Sequence, residues 1–170
     1  MIWSATVRLH GMPLRGADRL VDGQGAMRWK LFGIVPVLTA SGPDITRSGV
    51  GRVAAESVWL PSVLCGDAVS WTAADPAHAH ARFPVQGDTA EVDFTVGERG
   101  QLEAVSLLRW GNPDGAEFKE VDFCGIAEAE HTFAGYTVPT RLRAGWHFKS
   151  GRFESDGEFF RVMIDDATYR

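Results

Sequence analysis

At 170 residues and 18.6 kDa the chain has the length of one domain, large enough to bury about two thirds of its unfolded surface. Its 45% hydrophobic, 23% charged and 11% aromatic residues exclude a disordered, collagenous or coiled-coil chain. Seventeen basic against twenty-two acidic residues give a net charge of -5, which repels phosphate backbones and anionic headgroups, so nucleic acid is not an expected partner.

In chain order, the first signal is alternation: Trp3, Ala5, Val7 and Leu9 share one face of an extended segment, with Ser4, Thr6, Arg8 and His10 on the other. Turn dipeptides such as Asp22-Gly23 then punctuate the chain at short intervals, as hairpins require. They predict strands at about 2–10, 14–22, 25–32 and 34–40, with Pro36 marking a bend or an edge. One helical pattern follows from Asp44 to Leu64, where Asp44, Thr46 or Ser48 would cap the start and Pro61 breaks or restarts the helix. Arg52 and Glu56 stand one turn apart on its flank and can pair. Further strands are predicted at about 68–73, 77–85, 89–97, 101–110, 117–132, 136–149 and 158–169, and Pro139 marks a bend inside the long tenth strand. The expected fold is therefore a single mainly β (α+β) domain over 1–170: a curled antiparallel sheet or half-open barrel of about eleven strands, with one helix against the concave face.

Chemistry is harder to find. The chain has no nucleophile elbow, no phosphate-binding glycine loop and no zinc-protease helix, and Gly23-Gln24-Gly25 reads as a hairpin turn. Two cysteines, Cys65 and Cys124, form no disulfide framework and no Cys-x-x-Cys motif. His78 and His80 lie on the polar side of a strand without a third ligand in register, so they read as solvated, and neither metal nor cofactor is expected. No apolar run is long enough to span a bilayer. What remains is six tryptophans spread over different elements, several on the apolar face, and two charges, Glu56 and Arg109, embedded in apolar surroundings.

The residues Trp3-Ser4-Ala5, Gly23-Gln24-Gly25-Ala26-Met27, Arg52 to Leu64 with its Glu-x-x-Trp-x-Pro core, Trp71, Arg109-Trp110, Gly135 to Thr140 and Trp146 resemble a family of uncharacterised, mostly bacterial single-domain proteins. The resemblance covers nearly the whole chain and implies a fold like the half-open barrels of lipoprotein carriers, in which a curved sheet wraps a helix. Relatives usually carry residues before the Trp-x-Ala strand, often with a membrane-proximal segment, and an Arg-Tyr pair where this chain has Arg109-Trp110. A missing strand would leave an open edge that a second copy could cover as a homodimer. It would also imply an extracytoplasmic location, where the sequence as it stands implies a cytoplasmic one.

The leading expectation is a non-enzymatic module that holds a lipid-like or other apolar small molecule between sheet and helix. Its expected wall is Met27, Trp29, Trp59, Trp71, Tyr136, Trp146 and Phe148, with Glu56 and Arg109 as polar contacts. The alternatives are an enzyme acting on an apolar substrate in the same cavity, with Glu56 as acid or base and Arg109 as electrostatic stabiliser, and a packed interaction or scaffold domain.

Overall fold

The computed structural model describes residues 1–169. Four strands, β1 (Ile2–Leu9), β2 (Met12–Val21), β3 (Gln24–Leu31) and β4 (Val35–Ser41), form one antiparallel meander. The chain then passes through helix α1 (Pro43–Ala55), a 3-10 turn (Glu56–Trp59) and one turn of helix, α2 (Pro61–Leu64). Seven strands complete it as a second meander in sequence order: β5 (Ser70–Asp75), β6 (His78–Val85), β7 (Asp88–Val96), β8 (Leu102–Gly111), β9 (Lys119–Phe133), β10 (Tyr136–Trp146) and β11 (Glu158–Met163). Neither sheet closes into a barrel.

Local chemistry explains the meanders. Four connections are two-residue loops of one form, His10-Gly11, Asp22-Gly23, Gln86-Gly87 and Ala134-Gly135, with positive φ at both positions. That geometry matches the right-handed twist of the flanking strands and needs glycine at the second place. Pro36 and Pro139 both lie at register shifts, where the lack of an N–H is tolerated.

The eleven strands divide into two sheets at the helix, because α1 occupies the connection between β4 and β5 and lies between the two layers. The helix begins at Pro43 behind Gly42, earlier than the expected caps. Thr46 instead accepts the Gly25 N–H at Oγ1, 2.9 Å away, and donates to the Gly42 carbonyl. It gives way to the 3-10 turn at Glu56 and restarts at Pro61. Two glycine contacts let α1 sit close to both layers. A Cβ built on Gly25 of β3 would lie 2.6 Å from Thr46 Cα, and one on Gly51 of α1 would lie 2.8 Å from Arg109 Cγ of β8. Leu20 is sealed under Gly49 on the small-sheet side, while Ala54 and Val58 join Phe83, Val92, Phe94, Val105, Leu107, Phe123 and Leu142 on the large-sheet side. Each large side chain in that core contributes about 1.5–3 kcal/mol by leaving water. No helix among the described residues is long and apolar enough to cross a membrane.

Candidate functional site

The large sheet is not fully zipped. The ladder between β7 and β8 runs only from Asp93 opposite Ser106 to Val96 opposite Leu102, although β7 starts at Asp88 and β8 continues to Gly111. Asp88–Val92 still pairs with β6, and Leu107–Gly111 still pairs with β9, so the two segments diverge and open a window in the sheet. Helix α1 backs it. The resulting cavity of about 420 Å³ lies in the range that holds small ligands. Its floor is apolar, made by Val50, Gly51 and Ala54 of the helix with Ala90 and Leu107 of the diverging strands.

Its rim is charged. Arg47 bridges the mouth: its guanidinium lies 3.8 Å from the Trp110 ring centroid and its Nη2 is 2.7 Å from Glu120 Oε1. The Trp110 indole donates to Asp44 Oδ1 at 2.9 Å, which ties the start of α1 to β8. Across the opening, Asp93 takes His80 Nδ1 at 2.8 Å and Lys149 Nζ at 3.7 Å. Asp88 and Glu91 add two more carboxylates; Glu91 lies 3.6 Å from Arg82 Nε, and Asp88 has no cation within ion-pair distance among the described residues. Such a rim favours a cationic end on whatever fills the floor. A second opening of about 550 Å³ at the N-terminal end of α1 adjoins the first through Arg47, Val50 and Asp88.

The nine residues expected from sequence lie elsewhere: none of them lines either opening. Glu56 belongs to a polar layer between α1 and the small sheet. Arg52 Nε donates to Glu56 Oε1 at 2.8 Å and Arg52 Nη1 to Asp18 Oδ2 at 2.8 Å, while the guanidinium lies 4.3 Å over the Trp3 ring. The Trp3 indole donates to the other Glu56 oxygen, and the Trp29 indole to Asp18 Oδ1 at 2.9 Å. Met27 sits opposite Asp18 in the register of the same face.

Arg109 points between helix and large sheet, 4.9 Å from the Phe123 centroid and 5.0 Å from that of Trp146, with Nε 3.4 Å from the Ser48 carbonyl. Loss of hydration, helped by repulsion from Arg52, pulls its pKa down to about 10, so it stays charged at neutral pH. Trp146 meets Phe123 edge to face at 5.2 Å, and Phe148 meets Phe153 edge to face at 6.0 Å. Trp59 packs on the core and donates to the Pro139 carbonyl at 2.8 Å, Trp71 donates to the Leu64 carbonyl at 3.1 Å, and Tyr136 lies 4.7 Å from Tyr169 between centroids.

Two residue groups escaped the sequence reading. Asp18 and Trp3, which complete the Arg52–Glu56 layer, were legible in principle: Asp18 stands between Gly16 and Leu20 on the apolar side of β2, where an acid needs a partner. Of the window residues, Trp110 stood out only in the Arg109-Trp110 pair and not as a wall residue, while Arg47, Asp88 and Glu120 read as ordinary strand or helix surface.

No curated protein and no solved structure matches the chain. One family model does, over residues 1–169, and by that match the chain belongs to a family of unknown function (DUF6920).

Proposed function

We propose that the protein is a binding module for a small lipid-like or otherwise apolar molecule held between sheet and helix, with the β7–β8 window as its entrance. The unzipped end of the β7–β8 ladder carries this reading: a cavity of about 420 Å³ with an apolar floor, opened at the expense of ladder hydrogen bonds. The acidic rim selects a molecule with a cationic or strongly hydrogen-bonding end. An enzyme reading that uses Glu56 is weakened by its partners, because Arg52 and the Trp3 indole engage both carboxylate oxygens and hold them in a structural layer. The packed interaction-domain reading draws support from Trp59, which is closed against the core and lines neither opening.

The test is organic extraction of the purified protein and mass spectrometry against a mock purification, repeated on Thr89→Trp, which places an indole at the window. The expected result is a stoichiometric amphipathic molecule that is lost from the variant. An empty wild-type protein, or a molecule retained undiminished by Thr89→Trp, overturns the assignment.

A further inference from the structure

The net charge of -5 conceals a separation. Residues 1–42 carry five basic and two acidic residues, net +3, and the remainder carries twelve basic and twenty acidic, net -8. Cross-strand partners share a face, so the registers place every cation of the small sheet. Arg15 stands opposite both Thr6 and Lys30, Arg19 opposite Ile2 and Ala26, Arg28 opposite Ala17 and Thr39, and Arg8 opposite Pro13. All five lie on the face turned away from α1. The one acid in these strands, Asp18, lies on the other face, bound to Arg52. Among the described residues none of the five cations has a carboxylate within ion-pair distance, whereas Arg47, Arg52, Arg82, Arg143, Arg152 and Arg161 are all paired. Arg15 directly opposite Lys30 is a destabilising pair of like charges unless something anionic lies over it.

The second observation is the β3–β4 turn beside this face. It exposes Phe32 by 54% and Ile34 by 77%, followed by Val35 and Val37 on the edge strand. Phe32 has φ 53°, a left-handed conformation that costs a bulky residue energy and suits glycine or asparagine. A Cβ on Gly33 would lie 3.7 Å from Arg15 Cδ, so a cationic side chain runs alongside the apolar tip.

We propose that the outer face of the small sheet docks on an anionic lipid surface, with Arg8, Arg15, Arg19, Arg28 and Lys30 over the headgroups and Phe32 and Ile34 inserted at the acyl boundary. A screening length of about 8–10 Å lets this face act independently of the acidic remainder of the chain. Lipid is favoured over nucleic acid because the cations adjoin a protruding apolar tip, which a phosphate backbone in water leaves exposed and a bilayer buries.

The experiment is co-sedimentation of the full chain at an ionic strength of about 0.1 M with vesicles of phosphatidylcholine alone or mixed with phosphatidylglycerol, alongside retention of a mixed-sequence oligonucleotide. Binding is expected only to the phosphatidylglycerol vesicles. Each cation near such a surface contributes about fivefold, so Arg15→Glu with Arg28→Glu is expected to weaken partitioning by at least about 25-fold. Phe32→Asn with Ile34→Ser is expected to weaken it about tenfold while the fold is retained, since asparagine relieves the strained backbone. Absence of binding to phosphatidylglycerol vesicles overturns the proposal. So does a tip variant that partitions like wild type, or binding of the oligonucleotide without binding of vesicles.

Discussion

The wedge position of α1 makes two glycine substitutions diverge. In Gly25→Ala the new Cβ meets helix backbone: Thr46 Cα at 2.6 Å, Thr46 N at 2.7 Å and the Ile45 carbonyl at 2.8 Å. Ordinary carbon contacts need about 3.5–4.0 Å, so the first turn of α1 must retreat by roughly 1 Å. That retreat lifts the helix from fully buried Leu20 and stretches the Gly25 N–H to Thr46 Oγ1 bond. Overpacking costs about 1–3 kcal/mol and the weakened bond about 1 kcal/mol, against a gain of about 0.4–1 kcal/mol from a stiffer unfolded chain. The expected net loss is about 2–3 kcal/mol. In Gly51→Ala the Cβ instead meets the stem of Arg109, Cγ at 2.8 Å and Cδ at 3.5 Å, so a packed side chain rather than helix backbone must shift, and the overpacking of about 1–3 kcal/mol is offset by about 1 kcal/mol that alanine gains in a helix interior. Its net loss is expected near about 1 kcal/mol. Urea unfolding followed by tryptophan fluorescence reads the difference. With a slope near 2 kcal/mol/M, Gly25→Ala lowers the midpoint by about 1–1.5 M and Gly51→Ala by about 0.5 M. Equal midpoint losses, or an unshifted Gly25→Ala, would refute the wedge.

Three further outcomes follow from the geometry. Arg52→Ala leaves the Asp18 and Glu56 carboxylates half-buried without their shared cation, and is expected to cost about 2–4 kcal/mol in the same urea assay; a loss below about 0.5 kcal/mol would show the layer to be incidental. Burial pushes the Cys124 thiol up to about 12, while Cys65 is exposed, so a thiol reagent at neutral pH titrates one cysteine in the native protein and two in urea; two fast native thiols would contradict the packing. Glu158 is held below its ordinary 4.5 by Arg161 and Arg143, and Asp156 below its ordinary 3.8 by Arg152. Depressed carboxylates stabilise the fold above their unfolded values, and that stabilisation is lost as pH falls through the lowered folded values. Protection of the β11 amides against hydrogen exchange is therefore expected to fall ahead of that of β6 and β9 as the pH drops below the ordinary carboxylate range, and a uniform loss of protection would refute the assignment.

The strands were legible because alternation and X-Gly turns are local: β6 and β7 fall within a residue of the boundaries 77–85 and 89–97 that the sequence predicts. The Arg52–Glu56 pair was legible for the same reason, being one helical turn apart. The window was not: Asp88–Val92 alternates as regularly as a paired strand does, and Leu107–Gly111, which does not alternate, pairs with β9 all the same. Only the wedge of α1 decides where their ladder stops. The tryptophans were equally opaque: the Trp59 indole is satisfied by the Pro139 carbonyl, a partner 80 residues away that no spacing could suggest. The charge of the small sheet was present in the sequence but averaged away in the net value. Only the registers show that its five cations share one face.

Helix α1 joins the two proposed surfaces mechanically. Its Thr46 and Arg52 attach it to the small sheet through Gly25 and Asp18, and its Val50, Gly51 and Ala54 form the floor of the window. Arg47 belongs to the same helix and closes the rim on Trp110 and Glu120. Between β4 and β5 there is no ladder, so the small sheet is tied to the large one mainly by this helix rather than by a row of backbone hydrogen bonds. A force applied to the outer face of the small sheet therefore reaches the large sheet through the side chains that shape the cavity. A module with one face for a lipid surface and a helix-backed window on the other sheet has the two contacts that loading from, or release to, a bilayer requires.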